Sequence, residues 1–154
     1  MNLTPSKRES CGIFGIYGAE DTARLIYLGL YALQHRGQES AGIVVADGDK
    51  VLSHKGMGLI SDVFKEGPLD KLTGSMGIGH VRYSTTGSSM LRNAQPFLVE
   101  QIDRSFALAH NGNIVNIASL RRKLEARGAI FQTSTDSELI AHLILHKKGL
   151  LEDR

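Results

Sequence analysis

A chain of 154 residues, 42% hydrophobic and 22% charged, is sized for one domain with its own core and is too short for two of ordinary size. Its net charge of +2, with acidic and basic residues interspersed, gives no field suited to nucleic acid or to a membrane surface. One cysteine cannot close an internal disulfide, no apolar run approaches the ~20 residues of a membrane span, and the first ten residues lack the apolar core of a secretory signal, so a reducing, cytoplasmic setting is expected.

The chain opens on a short charged segment, "MNLTPSKRES", with Cys11 directly after it. This reads as a propeptide over 1–10 ahead of a single domain over 11–154. Residues 12–17 alternate glycine with Ile13, Phe14 and Ile16, the pattern of a buried strand that another backbone approaches closely. Asp21 is placed to cap a helix over 22–35 that Gly37 stops. That helix is apolar on most sides, so it is expected to lie between layers. Strands over 40–46 and 50–54 flank Asp47-Gly48 as a hairpin. Further strands are predicted over 76–82, 97–101 and 105–109.

Asn116 caps a second predicted helix that runs to Arg127 and Gly128, with Ile117, Leu120 and Leu124 on one face. A third starts at "TDSE", where Thr135 and Glu138 have capping-box spacing, and runs to Gly149. The order strands, helix, strands, two helices predicts an α+β, layered αββα fold rather than alternating βαβ units. The end, "GLLEDR", carries no terminal signal and reads as a cut, so the sandwich is expected to be incomplete at its C-terminus.

Several residues could carry chemistry. A free thiol is only a few per cent thiolate at neutral pH and needs a base to act as a nucleophile. If 1–10 is removed, Cys11 supplies its own base, an α-amine of pKa about 7.7–8.0; while the leader remains, that nitrogen is an amide. The plain alternative is a buried, inert cysteine. In "AHNGNIVN", Asn111 offers a side-chain amide and Gly112 an unobstructed N–H, two donors of the kind an oxyanion requires, or else the segment is a simple Asn-Gly turn.

Arg82, at a strand end before a Ser/Thr/Gly loop, could hold a carboxylate bidentately, or be a surface arginine. Asp136 in a first helical turn could bind an ammonium, or answer the helix dipole. His80 is expected to be a hydrogen-bonded core histidine rather than a base. In "LQHRGQESAG", His35, Arg36 and Gln38 are polar for a helix end and are candidates for lining a site. No zinc spacing or Walker loop is present, and "GMGLI" lacks a phosphate-binding context, so neither metal nor nucleotide is assigned.

Taken in order, "CGIFGI", "LQHRGQESAG", "GMGLISDVF", "GHVRYSTTG", "AHNGNIVN" and "TSTDSE" resemble the class II glutamine amidotransferases of the N-terminal-nucleophile hydrolase superfamily, and within them the amidophosphoribosyltransferase family. The resemblance implies a four-layer αββα sandwich with the nucleophile at the start of a central strand. It implies ammonia release from L-glutamine and transfer to phosphoribosyl pyrophosphate, giving phosphoribosylamine, glutamate and pyrophosphate in the committed step of purine synthesis.

It also implies residue roles. Cys11 is the nucleophile, and Asn111 and Gly112 form the oxyanion hole. Arg82 binds the glutamine carboxylate and Asp136 its ammonium, Thr85 and Gly37 help seat the substrate, and Tyr83 faces the ammonia exit. The full-length enzyme is implied to be a homo-oligomer using magnesium, and its processed subgroup to carry a 4Fe–4S cluster with ligands beyond Arg154. The phosphoribosyltransferase domain is absent from this chain. Alternatives are a non-catalytic fragment or unprocessed precursor, the glutaminase domain of a relative such as glucosamine-6-phosphate synthase, and a peptidase of the same superfamily.

Overall fold

Ser40–Asp47 (β2) carries a run of buried residues, Ala41, Ile43, Val44 and Val45, that fits it for the interior of a sheet. A computed structural model of the protein, describing residues 11–83, 90–100 and 105–145, places β2 between two antiparallel neighbours. On one side is its hairpin partner β3 (Lys50–Met57), on the other β4 (Met76–Arg82), and β1 (Gly12–Tyr17) pairs with the far side of β4. The sheet order is therefore β1-β4-β2-β3. Among the described residues β1 is an edge strand, not the central strand the family resemblance implies, and its exposed Tyr17 and Ile13 show that it is only half buried.

Helix α1 (Thr22–Ala32) covers one face of this sheet, laying Ile26 and Leu30 on Gly77 and Gly79 of β4. Its outer side exposes Leu25, Leu28 and Tyr31, so α1 is a one-sided surface helix rather than one held between layers. The α-helix ends at Ala32 and a 3₁₀ turn, Gln34–Arg36, takes the chain to Gly37. Asp21 occupies the cap position without a side-chain bond, and the Thr22 hydroxyl instead donates to Ala19 O at 2.7 Å. A four-residue helix, α2 (Ile60–Val63), inserts Ile60 beside Ile43 and Phe64 in the core.

The opposite face of the sheet meets the segment that leads into a second hairpin, β5 (Phe97–Glu100) and β6 (Ser105–Leu108). Gly42 of β2 lies against the Gln95 carbonyl, and Lys55 of β3 donates to Ala94 O at 3.0 Å. Beyond this hairpin lie α3 (Ile117–Glu125) and α4 (Asp136–Leu145), which share a small core of Leu124, Ala129 and Leu139 flanked by Ile117 and Leu120. Gly128, at φ +90°, turns the chain after α3 as expected. The layer order is α, β, β, α.

The start of α4 is built differently from a capping box. The Glu138 carboxylate accepts the N–H groups of Gln132 and Thr133 and the Thr133 hydroxyl, each at 2.7 Å, while the Thr135 N–H turns to Thr133 Oγ1 at 3.2 Å. The turn at 132–133 presents two amides that no helix satisfies, and the buried carboxylate goes to them.

Candidate active site

Cys11 precedes β1, where Gly12 pairs with Val81 of β4, so it lies beside Tyr83 at the end of β4. Its thiol bonds to that backbone: the Tyr83 N–H donates to Sγ at 3.4 Å, and Sγ stands 3.6 Å from Tyr83 O. The Cys11 carbonyl collects two side chains from distant parts of the chain. Asn111 Nδ2 donates to it at 2.7 Å across 100 residues of sequence, and Arg36 Nε at 3.3 Å. Cys11, Arg36, Tyr83 and Asn111 are thereby one cluster, with the thiol partly open to solvent.

The turn that carries Asn111 is held from both flanks. Gln95 accepts the His110 N–H at 2.7 Å and donates to the His110 carbonyl at 3.2 Å, so its amide acts as a two-point clamp. From α4, Asp136 Oδ2 accepts the Ile114 N–H at 3.3 Å and Oδ1 faces His110 Nδ1 at 3.4 Å. Gly112 sits over the His110 ring, where an added Cβ would come within 2.9 Å of Nε2. Asn111 and Gly112 are exposed.

Alternation along β4 sends Val81 toward α1 and sends His80 and Arg82 to the inter-sheet face. His80 is fully buried, and burial pushes its pKa down to about 4; the Arg82 charge adds to the effect and the nearby His110 backbone opposes it. Its ring is neutral at physiological pH. Its one polar contact among the described residues is with the His110 backbone, and it falls short of a well-formed hydrogen bond, so the ring is less well satisfied than expected.

Arg82 is no surface arginine either. It is 6% exposed and forms an ion pair with Glu39, which the sequence reading passed over. The polar run at the end of α1 is explained in the same place. Gln34 donates to Gly37 O and accepts the Ile60 N–H at 2.7 Å, while Gly37 lies so close to β4 that a Cβ there would meet Val81 O at 2.5 Å. His35 caps its own helix end through Ala32 O at 3.1 Å. Thr85 and residues 1–10 lie outside the described residues. Gln95 was also missed: a glutamine before a proline carries no sequence signal for a clamp. No three His, Cys, Asp or Glu side chains converge as a metal site among the described residues.

Residues 80–152 match the family model described as a glutamine amidotransferase domain. The chain is 55% identical to the amidophosphoribosyltransferase of Bacillus subtilis over 88% of its own length and 29% of that protein. It is 54% identical to the enzyme of that name from Methanocaldococcus jannaschii, over 89% of this chain and 30% of that one. With the chloroplastic amidophosphoribosyltransferase 2 of Arabidopsis thaliana the identity is 56%, over 92% of this chain and 26% of the relative. The chain thus spans less than a third of the length of these relatives.

Among solved structures, it superposes on glutamine phosphoribosylpyrophosphate amidotransferase from B. subtilis, complexed with ADP and GMP, with a TM-score of 0.79 at 53% identity, over 86% of this chain and 28% of that one. A second structure, described as the allosteric regulatory enzyme of purine biosynthesis, gives 0.82 at 54% identity, over 86% and 29% of the two chains. These superpositions establish the N-terminal-nucleophile hydrolase fold. Over the length it spans, the chain is similar to the glutamine amidotransferase domain in the form found in the amidophosphoribosyltransferases.

Proposed function

We propose that this chain is the glutamine-hydrolysing part of an amidophosphoribosyltransferase and that Cys11 is its nucleophile. The observation that carries the reading is the meeting of Asn111 with Cys11 through a 2.7 Å bond across 100 residues of sequence. A primary amide has two N–H donors, and one of them anchors to the Cys11 carbonyl. The other is available beside the thiol for the oxyanion that forms when a carboxamide is attacked, with the Gly112 N–H as second donor.

In this mechanism removal of 1–10 frees the Cys11 α-amine, which takes the thiol proton through a bridging water. The thiolate attacks the glutamine carboxamide carbon, the tetrahedral oxyanion collapses, ammonia leaves with the proton, and water releases glutamate from the thioester. Arg82 holds the substrate α-carboxylate and Asp136 its ammonium, with Gly37 and Thr85 seating the chain. Tyr83, bonded to the thiol through its backbone and partly exposed, stands where ammonia departs.

In the whole protein the ammonia passes to phosphoribosyl pyrophosphate, giving phosphoribosylamine and pyrophosphate in purine synthesis, in a cytoplasmic homo-oligomer. A 4Fe–4S cluster takes four cysteine thiolates and the sequence has one, so this chain cannot hold the cluster alone; no step is routed through the cluster or through magnesium.

The test is Cys11→Ala in the full-length protein. Glutamine-supported synthesis should fall at least about 10³-fold, the order lost when a covalent catalyst is removed, while synthesis from free ammonia continues. Glutamine use that survives the substitution would sink the assignment.

A further inference from the structure

Glu39 has no role in the mechanism above, yet its side chain is nearly buried and its backbone is held on both sides. Its side chain and that of Arg82 are 12% and 7% exposed, and the two form an ion pair. Its backbone is pinned on both sides: the Glu39 N–H donates to Arg82 O at 3.0 Å, and its carbonyl accepts the Gly58 N–H at 2.8 Å. One turn earlier, Gly37 touches the β4 backbone and Gln34 ties that turn to Ile60 of α2. The carboxylate is therefore delivered to Arg82 by a segment that cannot slide along β4. Its second oxygen, Oε2, is shut off from solvent and has no donor among the described residues, so its charge is directed at Arg82.

We propose that Glu39 is a positioning residue, its carboxylate fixing the Arg82 guanidinium on the inter-sheet face of β4 in the orientation that receives a substrate α-carboxylate. This rests on the reading of Arg82 given above. The physical case has three parts. A guanidinium stays charged at any working pH, and a buried cation without a counter-ion costs several kcal/mol, so the empty site needs an internal anion. A planar fork can take a carboxylate on more than one edge, so pairing with Glu39 is compatible with a second carboxylate. Arg82 also carries rotamer entropy that would otherwise be lost when substrate binds. Opposing this, Glu39 repels an incoming carboxylate, but both anions are attracted to the same fixed cation, which offsets the repulsion. Pre-organisation is the larger effect.

Glu39→Gln isolates the charge, since glutamine keeps the shape and one acceptor oxygen. The readout is the ratio of kcat/KM for glutamine to that for 4-aminobutanamide, which is glutamine without its α-carboxylate, measured on the full-length, N-terminally processed protein. The ratio should fall about tenfold, the size of one charge-assisted hydrogen bond, mostly through the KM for glutamine. A merely structural defect would lower both substrates alike and leave the ratio unmoved, which would overturn the proposal. A ratio that rises would overturn it too, by showing that Glu39 competes with substrate. Arg82→Ala is run beside it. If that variant leaves the ratio unchanged, the reading of Arg82 itself falls. If it collapses the ratio while Glu39→Gln does not, only the role of Glu39 falls.

Discussion

Cys11 and Arg82 stand on a sheet whose packing with α1 and α2 gathers ten buried apolar residues, from Ala23 to Val81, among the described residues. Asn111, Gly112 and Asp136 stand beside a cluster of three, Leu124, Ala129 and Leu139. The second region offsets its thin core with directed polar bonds. The Gln95 clamp fixes His110, Asp136 ties the following turn to α4, and Glu138 collects three donors at the helix start. Apolar packing is tolerant of small shifts, whereas a network of short hydrogen bonds fixes direction. In the proposed mechanism the first region supplies the thiol and the second the oxyanion donors, and such donors have to be aimed. The contrast suits what each half has to supply.

The strongest way to break the comparison is to open a cavity in the first region. Ile26 is fully buried and lies on Gly77 and Gly79, which have no side chains to swing into a void. Ile26→Ala should therefore cost about 4 kcal/mol, toward the upper end for such truncations. In the second region Glu138→Gln, which deletes a buried charge accepting three hydrogen bonds, should cost about 2–3 kcal/mol. That exceeds the expected loss for Leu124→Ala, about 2 kcal/mol in a small cluster that can close up. Denaturant midpoints of the three variants test the ordering. If Leu124→Ala outweighs Glu138→Gln, polar specification of the second region is wrong.

Much of this was legible in the sequence, for reasons that differ by residue. The β2–β3 hairpin was readable because the Ile43–Val45 run and an Asp-Gly turn act locally, and β4 because glycine alternates with larger residues along it. α2 was not, since four residues, Ile60–Val63, are too few for a helical period to show. The edge position of β1 depends on which strands pair with β4, a long-range outcome that alternation in 12–17 does not encode.

At the site, Cys11, Asn111, Arg82 and Asp136 stood out through chemistry and ordered motifs. Glu39 and Gln95 did not, because each matters only through a partner well away in sequence, 43 residues for Glu39 and 15 for Gln95. Thr135 and Glu138 marked the helix start correctly, but the donors that the Glu138 carboxylate accepts are set by the 132–133 turn.

His80 sharpens the comparison at the boundary, since it stands on the first region and faces the second. Its pKa is lowered to about 4 in the folded state against an ordinary 6.5, so between these values the unfolded chain binds the proton that the folded chain refuses. Stability tied to this residue is whole above pH 6.5 and is lost as pH falls toward 4, by up to about 3 kcal/mol. His80→Gln, which does not titrate, should flatten that part of the pH–stability curve relative to the parent. An unchanged slope would mean that the ring is hydrated and that the inter-sheet face is wetter than its packing indicates.

The smallest effect concerns what a polar side chain does in the second region. Arg121 meets Glu125 one helical turn on at 3.2 Å, donates to Thr133 O at 2.9 Å, and lies over the Phe131 ring at 4.2 Å from its centroid. The ion pair is partly exposed and of the kind worth at most about 0.5 kcal/mol. The other two interactions hold the 131–133 turn from which Glu138 takes its donors, and a charged hydrogen bond with a cation–π contact is worth about 1–2 kcal/mol. Glu125→Ala should therefore stay within about 0.5 kcal/mol of the parent in thermal or chemical unfolding, while Arg121→Ala loses about 1 kcal/mol or more. Equal losses would make the salt bridge the active feature and the tie to Thr133 incidental. Unequal losses in the expected sense would show that in this half even a surface arginine stabilises by aiming backbone groups.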